Sequence, residues 1–221
     1  MCVSFYIDTA EMSGLISKAR KMQLARDMAV ALGKSLTMDG DLYPAHIAAV
    51  LAPNSSGKMS VFPMLWGFTD KAVPKPLVNC RIETAGQKPL WRESWYKRRC
   101  AVPVSWYYEW GCPEIGNGSR SKKVRYAVQP EGVSTAFIAG LYRFEEHRGM
   151  KIPVFSVLTR EASRTVKDLH DRMPVILDMS CLCEWIRPDS APDRIAAKAL
   201  TDMVIEEAVE YHRSATDFIS I

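Results

Sequence analysis

Apart from one helical stretch near its start, this chain is a succession of short apolar runs, each cut off by turn residues. Runs that short suit strands better than helices, so the pattern commits the chain to a sheet-rich fold. The helical stretch covers residues 12–32. It sets Leu15, Ile16, Ala19, Met22, Leu24 and Met28 among charged residues, as one or two amphipathic helices would, and Gly33 is a natural stop. Strand patterns fall at residues 2–7, 59–68, 78–84, 100–104, 106–110, 124–129, 136–142, 153–159 and 175–177. Short helices are predicted at 91–96, 161–169, 180–186 and 194–199, and a loop at 39–41. Many strands with a few interspersed helices predict the α+β class. The expectation is one domain with a curved, barrel-like, mostly antiparallel sheet and a few flanking helices.

A chain of 221 residues that is 48% hydrophobic can bury one sizeable core. It contains no run of about 18 apolar residues, so no transmembrane helix is expected. Its first residues lack a basic segment before an apolar one, and Asp8 and Glu11 interrupt any apolar stretch, so the chain reads as cytoplasmic. Of the six cysteines, Cys181 and Cys183 stand one residue apart with no second close pair. Reduced thiols are expected, with no metal site and no cofactor. The net charge of +4 permits nucleic-acid binding without requiring it. Cations cluster at Lys97, Arg98 and Arg99, and again at Lys122, Lys123 and Arg125. The second cluster follows a polar segment, residues 112–121, that reads as an exposed loop, and it reads as a solvated face.

Cys2 directly follows Met1. Removal of Met1 would leave one residue with a thiol and an α-amine on adjacent carbons, both partly in reactive form at neutral pH. Such an aminothiol condenses with an aldehyde. The amine forms an imine, the sulfur closes on it, and a thiazolidine results.

Three segments concentrate polar chemistry in apolar settings. In Val78-Asn79-Cys80-Arg81-Ile82-Glu83-Thr84, an extended chain puts Asn79, Arg81 and Glu83 on one face. An Arg81–Glu83 pair on a solvated face is the plain alternative. In Trp106-Tyr107-Tyr108-Glu109-Trp110, a carboxylate sits among aromatics. Turned inward it would be desolvated and suited to proton transfer, but alternation allows it to point outward equally well. In Leu169-His170-Asp171-Arg172-Met173-Pro174, a histidine at an element boundary neighbours an arginine, which suits a proton shuttle near an anion.

Together these segments resemble the SOS response-associated peptidase (SRAP) family of abasic-site processing proteins. The matching elements are Met1-Cys2, Trp66-Gly67, Asn79-Cys80-Arg81-Ile82-Glu83-Thr84, Arg99-Cys100-Ala101-Val102-Pro103, Tyr108-Glu109-Trp110 and His170-Asp171-Arg172-Met173-Pro174, in the family's order. They span residues 1 to about 177, leaving 178–221 as a C-terminal extension of a single domain. The resemblance implies a protein of the DNA damage response that binds single-stranded DNA and captures abasic sites. It implies autoproteolytic removal of Met1, a covalent thiazolidine link through Cys2 and an accompanying lyase activity. It also implies Asn79, Glu109 and His170 as active-site residues, Arg81 and Arg172 as phosphate contacts, and Trp66 as a residue bearing on a base. A monomer is expected.

Departures from the family pattern are local. Val3-Ser4 replaces Gly-Arg, Cys80 replaces Ala, and Phe68-Thr69 follows the Trp-Gly element. Ser4 cannot make the cationic contact an arginine would. The competing expectation is an N-terminal-nucleophile cysteine peptidase or amidohydrolase acting on something other than DNA, with the amine of Cys2 as its base.

Overall fold

The computed structural model describes residues 3–36, 38–111, 123–133 and 135–208. A short first strand, β1 (Phe5–Ile7), leads into α1 (Thr9–Lys21). The Asp8 carboxylate caps that helix, accepting the Ala10 N–H at 2.7 Å. At Met22 the backbone turns extended (φ −65°, ψ 140°), so the predicted helical stretch is two helices, and α2 (Gln23–Leu32) follows. Gly33 ends α2 in the left-handed region at φ 63°, where a residue without Cβ fits at no steric cost.

Next come β2 (Gly40–Leu42), β3 (Ile47–Pro53) and β4 (Met59–Trp66). The hairpin β5 (Phe68–Asp70) and β6 (Val73–Leu77) leads to β7 (Asn79–Arg81), the helical turn α3 (Ile82–Ala85) and α4 (Pro89–Lys97). The strands β8 (Arg99–Val104), β9 (Trp106–Gly111), β10 (Val124–Pro130), β11 (Ala136–His147) and β12 (Met150–Glu161) follow. The chain then passes through β13 (Arg172–Pro174), β14 (Ile176–Leu177), α5 (Met179–Trp185), α6 (Pro192–Ala196) and β15 (Met203–Glu207).

β12, β4, β3, β8 and β11 pair in a ring that closes where β11 meets β12, so the sheet forms a barrel. Closure removes the edges that an open sheet of this length would expose. β7 joins β12 in parallel at the rim, and β13 lies against it antiparallel. A second sheet runs in the order β15-β10-β9-β1-β2. Barrel strands are buried on both faces: all six residues of β8 are buried, and so is β3 from Ile47 to Ala52. Among the described residues no helix is long and apolar enough to cross a membrane.

Two polar anchors hold this frame together. Arg99 is 1% exposed. Its Nε donates to the Trp185 carbonyl at 2.7 Å, Nη1 to the Trp95 carbonyl at 2.6 Å, and Nη2 to the Arg187 carbonyl and, at 2.7 Å, to Ser190 Oγ. Burial lowers its pKa to about 10. The residue ties the chain around α5 to β8. Glu145 holds the β5–β6 hairpin: its Oε1 accepts the Thr69 N–H at 2.9 Å and Arg143 Nε at 2.8 Å, and its Oε2 accepts Thr69 Oγ1 at 2.7 Å.

Several sequence expectations need correction. The predicted loop at 39–41 contributes to β2, because Gly40–Leu42 pairs with β1. The predicted strand 78–84 is extended only over Asn79–Arg81 and turns helical at Ile82, so Glu83 does not share a strand face with Asn79. No helix forms at 161–169: Glu161 closes β12, and residues 164–169 are turns. Arg99 is no part of a cationic surface. Arg125 sits 3.4 Å over the Tyr108 ring and 3.6 Å from the Asp41 carboxylate, so it is packed, not solvated. The predicted loop at 112–121 lies outside the described residues, as do Lys122, Met1 and Cys2.

Candidate active site

Asn79 opens β7 and sits opposite Val157 of β12. The carbonyl just before it, on Val78, accepts two donors. One is the Val157 N–H at 3.0 Å and the other is the Trp66 indole Nε1 at 3.1 Å. Trp66 is 1% exposed, with its ring 4.6 Å from Phe5 and 6.0 Å from Phe155. This corrects its reading as a base-stacking residue: a ring sealed in the core cannot meet a base. Its work is to brace the peptide before Asn79 and to join it to β1.

Cys80 points the other way from Asn79 and is buried, and burial pushes its thiol up to about 12. It remains a protonated core residue and no nucleophile at neutral pH. Arg81, back on the Asn79 side, is exposed.

Glu109 lies in β9 and is 5% exposed, which settles its direction as inward. Its Oε1 accepts the Trp110 N–H at 3.2 Å. Alternation then puts Tyr107, Glu109 and Gly111 on one face, and sends Trp110 to the other, where it is 46% exposed. The Tyr108 N–H donates to the Ser4 carbonyl at 3.0 Å, so the start of the described chain runs beside Glu109. Ser4 itself is 5% exposed.

His170 ends the turn segment after β12, with its N–H on the Val166 carbonyl at 3.0 Å. Its Nδ1 accepts the Arg172 N–H at 2.8 Å. An accepting Nδ1 places the proton of the neutral ring on Nε2. The neighbouring Leu169 packs against Gly111, two residues from Glu109. Arg172 turns its side chain to Glu83, with Nη1 and Nη2 on the two carboxylate oxygens at 2.7 and 2.9 Å. Nη2 also donates to the Thr159 carbonyl at 2.7 Å. Glu83 thus pairs with Arg172 and not with Arg81. The Arg172 fork is largely committed within the protein, which leaves it little capacity for a phosphate. The pairing holds the Glu83 carboxyl below the usual carboxylate range.

These contacts draw four stretches of chain to one place. Phe5 reaches Asn79 through Trp66, Ser4 lies on β9 beside Glu109, and Leu169 brings the His170 turn onto the same strand. Thr159, Gly111 and Leu169 contribute by packing and backbone contacts, and nothing in their sequence context marks them. Among the described residues, no group of three His, Cys, Asp or Glu side chains is placed to hold a metal ion.

Residues 1–218 match the SOS response associated peptidase (SRAP) family, and the chain belongs to it. It is 27% identical over 162 residues to the abasic site processing protein YoaM of Bacillus subtilis, covering 70% of this chain and 68% of that one. To the abasic site processing protein YedK of Escherichia coli it is 24% identical over 151 residues, covering 68% and 65%. A solved protein of Bacteroides thetaiotaomicron shares the fold with a TM-score of 0.70 at 19% identity, over 95% of this chain and 93% of that one.

Proposed function

We propose that this protein captures abasic sites in single-stranded DNA through a thiazolidine formed on the N-terminal Cys2. The observation that carries the reading is the convergence of the N-terminal strand with Asn79, Glu109 and the His170 turn. Cys2 stands two residues before Ser4 in the chain, and Ser4 is bonded to β9 one residue from Glu109. The names of the relatives supply the substrate class, an abasic site.

The chemistry follows from that setting. A ring-opened abasic deoxyribose presents an aldehyde. With Met1 removed by autoproteolysis, the α-amine of Cys2 adds to the aldehyde carbon, and loss of water gives an imine. The Cys2 sulfur then adds to the imine carbon. A C–S bond forms, the thiol proton ends on nitrogen, and nothing is oxidised or reduced. His170, with its proton on Nε2, donates to the sugar oxygen as the ring opens. Glu109 relays protons to and from the amine, and Asn79 holds the reacting groups. Arg81, exposed on the Asn79 side, meets a flanking phosphate. Lyase activity follows from the imine, which acidifies the adjacent sugar C–H.

The test is incubation with a single-stranded oligonucleotide bearing one abasic site, read as a gel-stable adduct. Wild-type protein with a mature N-terminus, checked by mass spectrometry, forms the adduct, and Cys2→Ala does not. An adduct that survives in Cys2→Ala overturns the mechanism.

A further inference from the structure

Glu83, Arg172 and His170 form a chain of contacts that runs from the helical turn α3 into the site. Its first link joins residues far apart in sequence: Glu83 and Arg172 are separated by 89 positions. Both Glu83 oxygens accept from the Arg172 guanidinium, and the Thr159 carbonyl holds the same guanidinium from β12. Paired parallel hydrogen bonds fix a guanidinium in direction as well as distance. The Arg172 side chain is only 16% exposed, so it is not a loose surface partner.

The second arm of the chain is backbone. The N–H of that same Arg172 donates to His170 Nδ1 at 2.8 Å. An anchored side chain and a donor to the imidazole therefore belong to one residue. If residue 172 shifts, the imidazole loses the donor that makes Nδ1 the acceptor, and the proton is no longer confined to Nε2.

We propose that Glu83 is a positioning residue for His170, acting through Arg172. It holds the first residue of β13 where its N–H meets Nδ1, so that Nε2 carries the proton the reaction uses. The role in capture rests on the function proposed above, whereas the tautomer control stands apart from it. Arg172, by the same geometry, serves chiefly as the link between Glu83 and His170.

The experiment uses full-length protein labelled with ¹⁵N-histidine, in the forms wild type, Glu83→Gln, Glu83→Ala and Arg172→Lys. The His170 ring signals are assigned by their loss in His170→Gln. Wild type is expected to show a single tautomer with the proton on Nε2. Glu83→Ala is expected to show mixed tautomers, and Glu83→Gln, which keeps a neutral acceptor, a smaller change. The initial rate of adduct formation should fall about 10- to 100-fold in Glu83→Ala, as for a displaced catalytic group. Arg172→Lys, which keeps the charge but not the fork, should not retain the wild-type tautomer. If Glu83→Ala does not fold, Glu83→Gln decides by the same two readouts. Wild-type tautomer signals in the Glu83 variants overturn the proposal, whatever the rate. A wild-type protein that forms no adduct overturns the capture reading alone, and the tautomer spectra then decide the positioning role.

Discussion

The Leu169 side chain packs where a β-carbon on Gly111 would stand, its Cδ1 only 2.3 Å from that point. A glycine in β9 thereby lets the turn carrying His170 lie against the strand carrying Glu109. Tyr126 closes the same space, its ring 3.1 Å from the would-be carbon. In Gly111→Ala the methyl group must displace one or both. The expected cost is roughly 1–3 kcal/mol of stability, typical of overpacking. The adduct rate should fall at least about 10-fold because His170 moves with Leu169. Thermal unfolding and adduct kinetics measure the two effects. A wild-type rate would mean that the side chains yield without moving the histidine.

Arg99 presents the largest stability effect. Removing its guanidinium strips hydrogen bonds from the carbonyls of Trp95, Trp185 and Arg187, all beside a side chain that is 1% exposed. Buried acceptors left without partners each cost about 1–3 kcal/mol. Arg99→Ala should lower stability by about 3–5 kcal/mol or prevent folding altogether. Urea unfolding checks this, and a loss under about 1 kcal/mol would show that water replaces the lost donors.

Acid sensitivity should report the Glu83–Arg172 pair. Hydrogen bonds from Arg172 lower the Glu83 pKa from its ordinary value near 4.5. The unfolded chain therefore takes up this proton first as pH falls. The stabilisation is fully present above about pH 4.5 and is lost as pH drops through the lowered folded value. The carboxylate is 48% exposed, so solvent screening keeps the effect small. Wild type should lose stability more steeply than Glu83→Gln as pH drops from about 5 toward 3. Equal slopes in urea titrations at each pH would rule out a contribution from the pair.

Contacts to the strand should divide between an aromatic ring and a cation. Trp110 follows Glu109 in β9 but faces the other way and is 46% exposed, and Arg81 is exposed on the Asn79 side of β7. Trp110→Ala should weaken binding of undamaged single-stranded DNA about 5- to 150-fold, the value of one lost stacking contact. Stability should change by less than about 0.5 kcal/mol. Arg81→Ala should reduce the slope of log K against log salt by about 0.7, as for one phosphate contact. Fluorescence anisotropy at several salt concentrations measures both, and unchanged affinity in either variant removes that residue from the interface.

Some elements were legible because local pattern and tertiary role agree. The helices at 12–32 show their apolar spacing, Gly33 its stop, and the two runs around Ser105 their strand character. Other elements were not. β3 is an unbroken apolar run rich in alanine, buried on both faces inside the barrel, so it has no alternation to reveal it. The 161–169 segment has helix-forming residues, but β12 continues through Glu161 to pair with Arg172, and that ladder overrides local preference.

The sequence by itself determined the sheet-rich class, the two early helices, the aminothiol chemistry open to Cys2, and the order of the motifs. It could not say which way side chains face, because a partner decides that and the partners are distant in the chain. Glu109 turned inward where alternation allowed either direction. Trp66 proved to be a brace, since Val78, Phe5 and Phe155 close around it. Arg172 found Glu83 across 89 positions and so became the support of a histidine. Such contacts arise only once tertiary pairing sets β7 and β13 against β12, and β9 against β1, and no local stretch of residues records them.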